Sequence, residues 1–595
     1  MVGSRGVSRR TYLSGITLGA TSLAGCVNRL RPAVERQDAE QVEVGILTVP
    51  EDEDLYSLRI ANHLAKNLDA AGIAVEVQPT RRQTMLQDVL INRDFDIFVG
   101  RYSDQYEADF LYPLFHSRFG EESGWQNFSS YSNSVADEML VDQRRGEGRR
   151  EDQLGDLQRL LATEVPIIPI AHEHFKTLVA PEIAEIHERD FTNPAWWATN
   201  LNPGEGPIDE DQTVLEVGSI DNRISRNLNP IAVDYRGAEG LTEVIYDPLT
   251  RWENERHIPW LAAGWEWLSP VGAVAPTIEV SLREGLVWHD GEPIDASDVD
   301  FTFALLRNTT LTEQDPTLPA PRFRGRSSLI DTTEVIDDRT IRIQFKSSSR
   351  EVALWAMTIP ILPMHIWEDR TDKVEIAGIQ IADQTTEAMV HENILPVGSG
   401  QYECIEVDTN RSLLFERFDD HFLEYIDDTD PAVVYDHNGF DYIHIELHPS
   451  ERTIVEAIRE GELDTSLTNL GAELISSAGE EEPSLEAMEV ETSVLLHIGF
   501  NLRRVPFTSV GFRQAIAGLM DRNFLESEVF VGGADPTVTP LSADAMIPQS
   551  LQWPAEPIGF LGEAGSGEIN VEAARDEFRN AGFQYSGDGE LLTRE

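Results

Sequence analysis

From Val42 onward the spacing of apolar residues switches repeatedly between two periods. Val42 to Val49 and Ile73 to Gln78 alternate or run apolar, which predicts strands, and Phe95 to Val99 reads as a buried strand. Between them, Leu58 to Asp69 has helical spacing and Gly72 as its stop, and Thr84 to Asn92 reads as a second helix. The order is βαβαβ, the pattern of a parallel sheet with helices packed on its faces. A polar and aromatic loop follows Gly100, then helices are expected near Ser134 to Gln143 and from Asp152 to Thr163. Asn202-Pro203-Gly204-Glu205-Gly206-Pro207, with acidic residues to Asp211, has the composition of a linker. A second series of strands begins at Val214, and the last strong helical pattern is Val571 to Asn580, stopped by Gly582.

Composition narrows what such domains do. The chain has 595 residues, of which 41% are hydrophobic, enough for large packed cores. Its 47 Lys plus Arg stand against 104 Asp plus Glu, a formal charge of −57. That charge argues against nucleic-acid partners, whose binding needs a basic, counterion-releasing surface, and against broad contact with anionic lipid. The only lysines are Lys66, Lys176, Lys346 and Lys373. An acidic chain that uses Arg and nearly avoids Lys resembles proteins of salt-loving archaea, in which molar salt screens carboxylate repulsion. The two cysteines, Cys26 and Cys404, are too few for a disulfide framework.

Cys26 has a different context. Ser8-Arg9-Arg10-Thr11-Tyr12-Leu13, an apolar run, and then Leu23-Ala24-Gly25-Cys26 resemble a twin-arginine export signal ending in a lipoprotein box. The implied roles are export through Arg9 and Arg10 and lipidation of Cys26. Residues 27–41 are polar and aperiodic and read as a tether, and no other stretch is apolar and long enough to span a bilayer. The expected location is therefore the extracellular face of the membrane, held by a lipid anchor.

Several blocks further along carry a family resemblance. They are Leu261-Ala262-Ala263-Gly264-Trp265-Glu266, then Val280 to Pro293 (VSLREGLVWHDGEP), Pro396-Val397-Gly398-Ser399-Gly400-Gln401-Tyr402, and Ala457 to Asp464 (AIREGELD). To these are added Asn501-Leu502-Arg503-Arg504-Val505-Pro506-Phe507, Phe512-Arg513-Gln514-Ala515-Ile516 and Met520-Asp521-Arg522. Together they resemble the extracellular solute-binding proteins of the dipeptide, oligopeptide and nickel class (family 5), which serve ABC importers. The resemblance implies an α/β, two-lobed periplasmic-binding-protein-like fold of type II, with the extra lobe I insertion of the peptide-binding class. Gly-Ser-Gly-Gln-Tyr departs here from the family's usual Gly-Thr-Gly-Pro-Tyr.

In that family, text like Ala581-Gly582-Phe583 and Gly587 to Leu592 lies midway through the second lobe, whereas residues 42 to about 180 look like the remainder of it. The expectation is a circular permutation. Residues 42–170 form the second half of lobe II, 171–200 the tail of lobe I, 201–212 the join between former ends, 213–494 lobe I with its insertion, and 495–595 the first half of lobe II. The other reading of the front segment is an unrelated α/β domain. The two differ on geometry, since permutation requires the strand at Val42–Val49 to share a lobe with Val571–Leu592. Strands are expected to cross between lobes near Ile167–Ala171 and Val494–Phe500.

For chemistry, no Gly-x-x-x-x-Gly-Lys-Ser/Thr and no Gly-x-Ser-x-Gly occurs, so phosphate-loop and common acyl-hydrolase signatures are missing. His444, Glu446 and His448 would share one strand face, as would His172 and His174, but neither spacing matches a helical zinc motif, and no metal or cofactor is assigned. The loop from Gly100 to Leu111 follows a parallel strand, where α/β domains place ligands. The resemblance puts Asp104 at the position that holds a peptide's α-ammonium group. Gly100 allows close backbone approach, Tyr102 and Tyr106 supply flat walls or core packing, and Arg101 pairs either with a ligand anion or with Glu107. The resulting expectation is a non-enzymatic binding subunit that closes on a small solute, foremost a peptide, and delivers it to an ABC permease with separate ATPase subunits. A receptor-coupled sensor or a lipoprotein enzyme on the same scaffold is the alternative.

Overall fold

The computed structural model describes residues 40–593 except 104–106, 147, 181–182, 185–201, 204–212, 233–240, 254–255, 313–316, 375–384, 427–429, 433–439 and 543–545. Arg9, Arg10, Cys26, Asp104, Tyr106 and most of the linker at 201–212 therefore lie outside the described residues.

Alternating apolar residues at Glu43–Thr48 and Ala74–Pro79 form parallel neighbours, and Ile97–Tyr102 pairs parallel on the other side of the first. The intervening helix Ser57–Ala71 ends at Gly72, whose φ of 96° suits a residue without Cβ. The long strand Glu486–Phe500 pairs antiparallel with Ile97–Tyr102, and Ile167–Val179 follows it, with Ala534–Pro536 at the edge. The result is a six-stranded sheet that interleaves the front and the back of the chain.

Helices cover both faces of this sheet. One face buries Val44, Ile46, Ile97 and Val99 with Ile60, Leu64, Phe512, Ala574 and Phe578. The other buries Leu47 and Phe98 with Phe115, Leu140, Leu157 and Leu161. The strand at Glu43–Thr48 is tied to the end of the chain. The Val42 N–H donates to the Leu591 carbonyl at 2.8 Å, Leu591 donates to Gly72 at 2.7 Å, and Thr593 donates to Glu40 at 2.8 Å.

A second lobe holds a five-stranded sheet in the order Tyr402–Asp408, Ser412–Arg417, Tyr442–Leu447, Val214–Ser219, Thr465–Ser466. Beside it lies a four-stranded sheet of Ala262–Trp267, Thr277–Leu282, Thr340–Phe345 and Ile330–Asp337. One continuous core joins the two through Trp260, Trp288, Tyr402 and Phe415.

The paired strands Ile167–Val179 and Glu486–Phe500 run through both lobes. Ile168 and Ile170 belong to the first lobe's core, Phe175 and Val179 to the second's. The register slips between Glu491 and Leu495, opposite His174 and His172. The passage between lobes thus falls at 172–175 on one strand and 491–495 on the other, a few residues off the positions read from the sequence. A bulge at this point locally relaxes the ladder and bends the pair.

The lobes also meet along a separate seam. Arg324 grips Glu122 with two hydrogen bonds of 2.7 and 2.9 Å, and Arg144 donates to Ser328 Oγ at 3.1 Å. The Ser349 N–H donates to the Arg144 carbonyl at 2.8 Å. Pro113 packs so closely on Gly325 that a Cβ there would lie 2.7 Å from it.

Candidate ligand-binding cleft

A cavity of about 1130 Å³ lies between the lobes, ample for a small solute. Its walls follow from topology. On the first lobe they are Asp52–Tyr56, Arg81–Gln83 and Arg101, each just beyond or at the carboxyl end of one of the three parallel strands. On the second they are Ser219–Ile224, Arg226, Asn227, Leu447–Pro449 and Leu467–Leu470, again following strands. Glu173, Phe175, Thr492 and Val494 of the connecting strands form the floor. Carboxyl ends of parallel strands aimed at a shared crevice are where open α/β sheets take ligands.

Arg101 sits at the centre of the first wall. Its guanidinium forms an ion pair with Asp54 at 3.1 Å and donates a hydrogen bond to Glu173 at 2.6 Å; Glu107 is not its partner, since that carboxylate pairs with Arg150. Asp54 also accepts from the Tyr56 and Ser57 N–H groups at 2.9 and 3.0 Å and from Ser57 Oγ at 2.8 Å, so it fixes the start of the helix Ser57–Ala71. Burial by itself raises the Asp54 pKa. The positive charges of Arg101 and Arg82, with the Ser57 hydrogen bonds, outweigh it and hold the carboxyl below its usual range. Glu173 is further bound by Asn469 Nδ2 at 2.8 Å, which ties the floor to the second lobe.

On the facing wall Arg223 forms a fork with Asp221, at 2.6 and 2.7 Å, and this partner with the nearby Arg82 holds the half-buried Asp221 carboxyl below its ordinary range against its desolvation. Glu451 accepts from the Gly471 N–H at 2.9 Å, while burial pushes its pKa up.

The strand reaching the first wall continues to Tyr102, so residues 100, 101 and 102 alternate across the sheet. Arg101 faces the cavity. Gly100 does not; a Cβ on it would meet the Phe98 ring at 3.2 Å and Met85 at 3.6 Å. Tyr102 packs in the core, with ring centroids 5.9 Å from Phe110 and 5.6 Å from Trp125. Of the two roles open to Tyr102 in the sequence, this geometry is that of core packing. Asp54, Arg82, Glu173, Asp221 and Arg223 were not singled out from sequence. The rule that directed attention to the loop after the third strand applies equally to Pro50–Asp54 and to Arg81–Arg82, which follow the first two.

The histidine groupings resolve differently. His174 bonds Glu489 at 2.5 Å and Asp535 at 3.0 Å, and His172 bonds the Leu541 carbonyl at 3.1 Å. Glu216 joins His444 and Glu446 with donor atoms within 4.8 Å of one another, and His444 Nδ1 already bonds Glu216 at 2.7 Å. His448 stands 3.6 Å from Glu446 and lines the cleft.

Two α/β lobes, joined by a pair of strands and enclosing a charged cleft at their strand ends, define the two-lobed solute-binding architecture. Residues 256–594 match the model for bacterial extracellular solute-binding proteins, family 5 (Middle), and the chain belongs to that family. A Brucella melitensis protein named as a binding protein is 26% identical over 265 residues, 43% of this chain and 38% of its own length. The peptidoglycan-binding protein YepA of Agrobacterium fabrum is 24% identical over 307 residues, covering 48% and 42% of the two chains. The chain thus spans less than half the length of these curated relatives. Among solved structures, the oligopeptide-binding protein AppA of Bacillus subtilis, in complex with a nonapeptide, aligns with TM-score 0.44 and 19% identity over 64% of this chain and 67% of that one. NikZ of Campylobacter jejuni, in complex with Ni(L-His), aligns with TM-score 0.43 and 16% identity over 65% and 66%.

Proposed function

We propose that this protein is the extracellular substrate-binding subunit of an ABC importer. It captures a small solute, foremost a peptide, between its lobes and presents the closed form to a membrane permease with separate ATPase subunits. The observation that carries the reading is the cleft. The strand ends of both lobes supply its walls, so a bound solute touches both and favours the closed arrangement. The connecting strands, with their slipped register at 491–495, are the hinge. In this reading Asp104, two residues beyond the third strand, holds the peptide's α-ammonium group, and Arg101 frames the same wall.

The chain is a circular permutation of the family's order. The bonds from Val42 to Leu591 and from Leu591 to Gly72, within one lobe, support it. The lipid on Cys26, added after twin-arginine export through Arg9 and Arg10, then tethers the protein by the lobe that carries Glu43–Thr48.

Identification of the co-purifying solute tests the function. The protein, prepared in molar salt, is denatured and the released small molecules are analysed by mass spectrometry. Short peptides with free amino ends are expected, and Asp104→Ala then weakens their binding at least tenfold, the loss of a charge-assisted hydrogen bond. Release of a sugar or metal chelate removes the role of Asp104, and the absence of any solute that alters lobe closure in solution scattering removes the binding function.

A further inference from the structure

We propose that the solute is acidic, and that a carboxylate or phosphate beyond those of an ordinary peptide terminus is held by the guanidinium of Arg82. This deepens the importer reading and rests on it. Arg82 lines the cavity from the first lobe and faces Arg223 and Asp221 across it. The other arginines of the cleft centre have acidic partners on the same walls, Arg101 with Asp54 and Glu173, and Arg223 with Asp221.

Arg82 differs. Its side chain donates to the Glu53 carbonyl, and among the described residues it has no carboxylate in contact. The Glu53 carboxylate is taken by the Arg82 backbone N–H at 2.8 Å, not by its guanidinium. Two other arginines that lack a carboxylate, the buried Arg513 and the half-buried Arg93, fill their forks with several carbonyls. Arg513 bonds those of Glu164, Val165 and Phe507, and Arg93 those of Asn127 and Glu122. Among the described residues Arg82 has one such acceptor, so most of its five donors remain for something the cleft admits. Burial, with the like charges of Arg223 and Arg101, depresses its pKa against the opposing pull of Asp54 and Asp221.

Two further guanidiniums line the same cavity without a carboxylate in contact among the described residues. Arg81 is exposed beside Arg82, and Arg226 on the opposite wall bonds Asn410 Oδ1 at 3.0 and 2.7 Å. A fork of planar donors matches carboxylate and phosphate oxygens in pairs. With 104 acidic residues in the chain, long-range repulsion opposes an anionic solute, so any preference for one must come from these contacts. Molar salt screens the repulsion and leaves contact-range forks in place.

Calorimetric titration of the full protein in molar KCl with glutamyl-glutamate, alanyl-alanine and inorganic phosphate tests the assignment. Arg82→Gln and Arg82→Lys are compared with wild type, and thermal unfolding serves as the folding control. Wild type is expected to prefer glutamyl-glutamate over alanyl-alanine by roughly tenfold or more, with Arg82→Gln abolishing the preference and Arg82→Lys restoring part of it. Tighter binding of phosphate than of the acidic dipeptide assigns the group as phosphate. Equal affinity for the two dipeptides overturns the inference and leaves the importer reading standing. A preference that survives in Arg82→Gln overturns it too, and failure of all three probes to bind, with neutral solutes co-purifying, does the same. If Arg82→Gln fails to fold, the wild-type ratio and Arg82→Lys still decide.

Discussion

The seam between the lobes offers a measurement of closure that does not depend on the solute's identity. Glu122 and Arg324 meet there in a two-pronged contact of 2.7 and 2.9 Å, with side chains 25% and 13% exposed. Fully exposed ion pairs contribute little, but a mostly buried fork has the strength of a charge-assisted hydrogen bond, about 1.5 kcal/mol or somewhat more. If the seam forms only when the lobes close, that free energy belongs to the closed state alone. Its loss lowers the closed population, and the apparent affinity falls in proportion, by roughly tenfold. Glu122→Ala, Arg324→Ala and the double variant are to be titrated with the native solute, while small-angle scattering follows lobe separation. Each single variant is expected to bind about tenfold more weakly and to scatter as a more open particle. The double variant should be no worse than either, the non-additivity of a shared contact. Unchanged affinity and scattering in the single variants, with a lowered unfolding temperature, would refute the reasoning by showing the seam present in open and closed forms alike.

Two further expectations concern stability. Gly72 holds φ at 96°, and a Cβ there would lie 2.2 Å from the Gly589 carbonyl, so Gly72→Ala should cost about 1–3 kcal/mol in denaturant unfolding; an unchanged midpoint would mean that the front and back of the chain are loosely joined. His497, buried among Phe98 and Phe128, has a pKa pushed down to about 4 by desolvation. Because the unfolded imidazole takes a proton near its ordinary value of 6.5, stability is fully present above that pH and erodes as pH falls from 6.5 to 4, by about 2 kcal/mol near pH 5. His497→Phe should remove that part of the slope, as read from denaturant midpoints near pH 7 and pH 5, and equal slopes in both proteins would contradict the assignment.

The front half of the first lobe was legible because its elements are strongly periodic. Expected strands at Val42–Val49 and Ile73–Gln78 appear as Glu43–Thr48 and Ala74–Pro79, and the helix Val571–Asn580 has the bounds its pattern gave. The cleft was legible as a place but less so as a set of side chains. The strand read as Phe95–Val99 continues through Tyr102, and a strand's two-residue period then sends Gly100 and Tyr102 to the core and Arg101 to the cavity. A loop reading carries no such parity, so all three looked equally available. The partners of Arg101 were hidden for another reason. Asp54 and Glu173 are distant in sequence, and in a chain with 104 acidic residues composition gives no cue that two particular carboxylates are buried and paired.

The interleaved sheet also sets the order in which the molecule can be built. The strand Glu486–Phe500 lies between Ile97–Tyr102 and Ile167–Val179 and pairs with both. While a ribosome is still making the middle of the chain, those two early strands have no neighbour on the sides that will later face it. Their open backbone edges are templates for wrong pairing until the strand Glu486–Phe500 has been made. The second lobe, whose five-stranded sheet draws on residues 214–466, can meanwhile complete itself first. Synthesis therefore passes from one lobe through the other and back, and the strand Glu486–Phe500 is the one that seals the first.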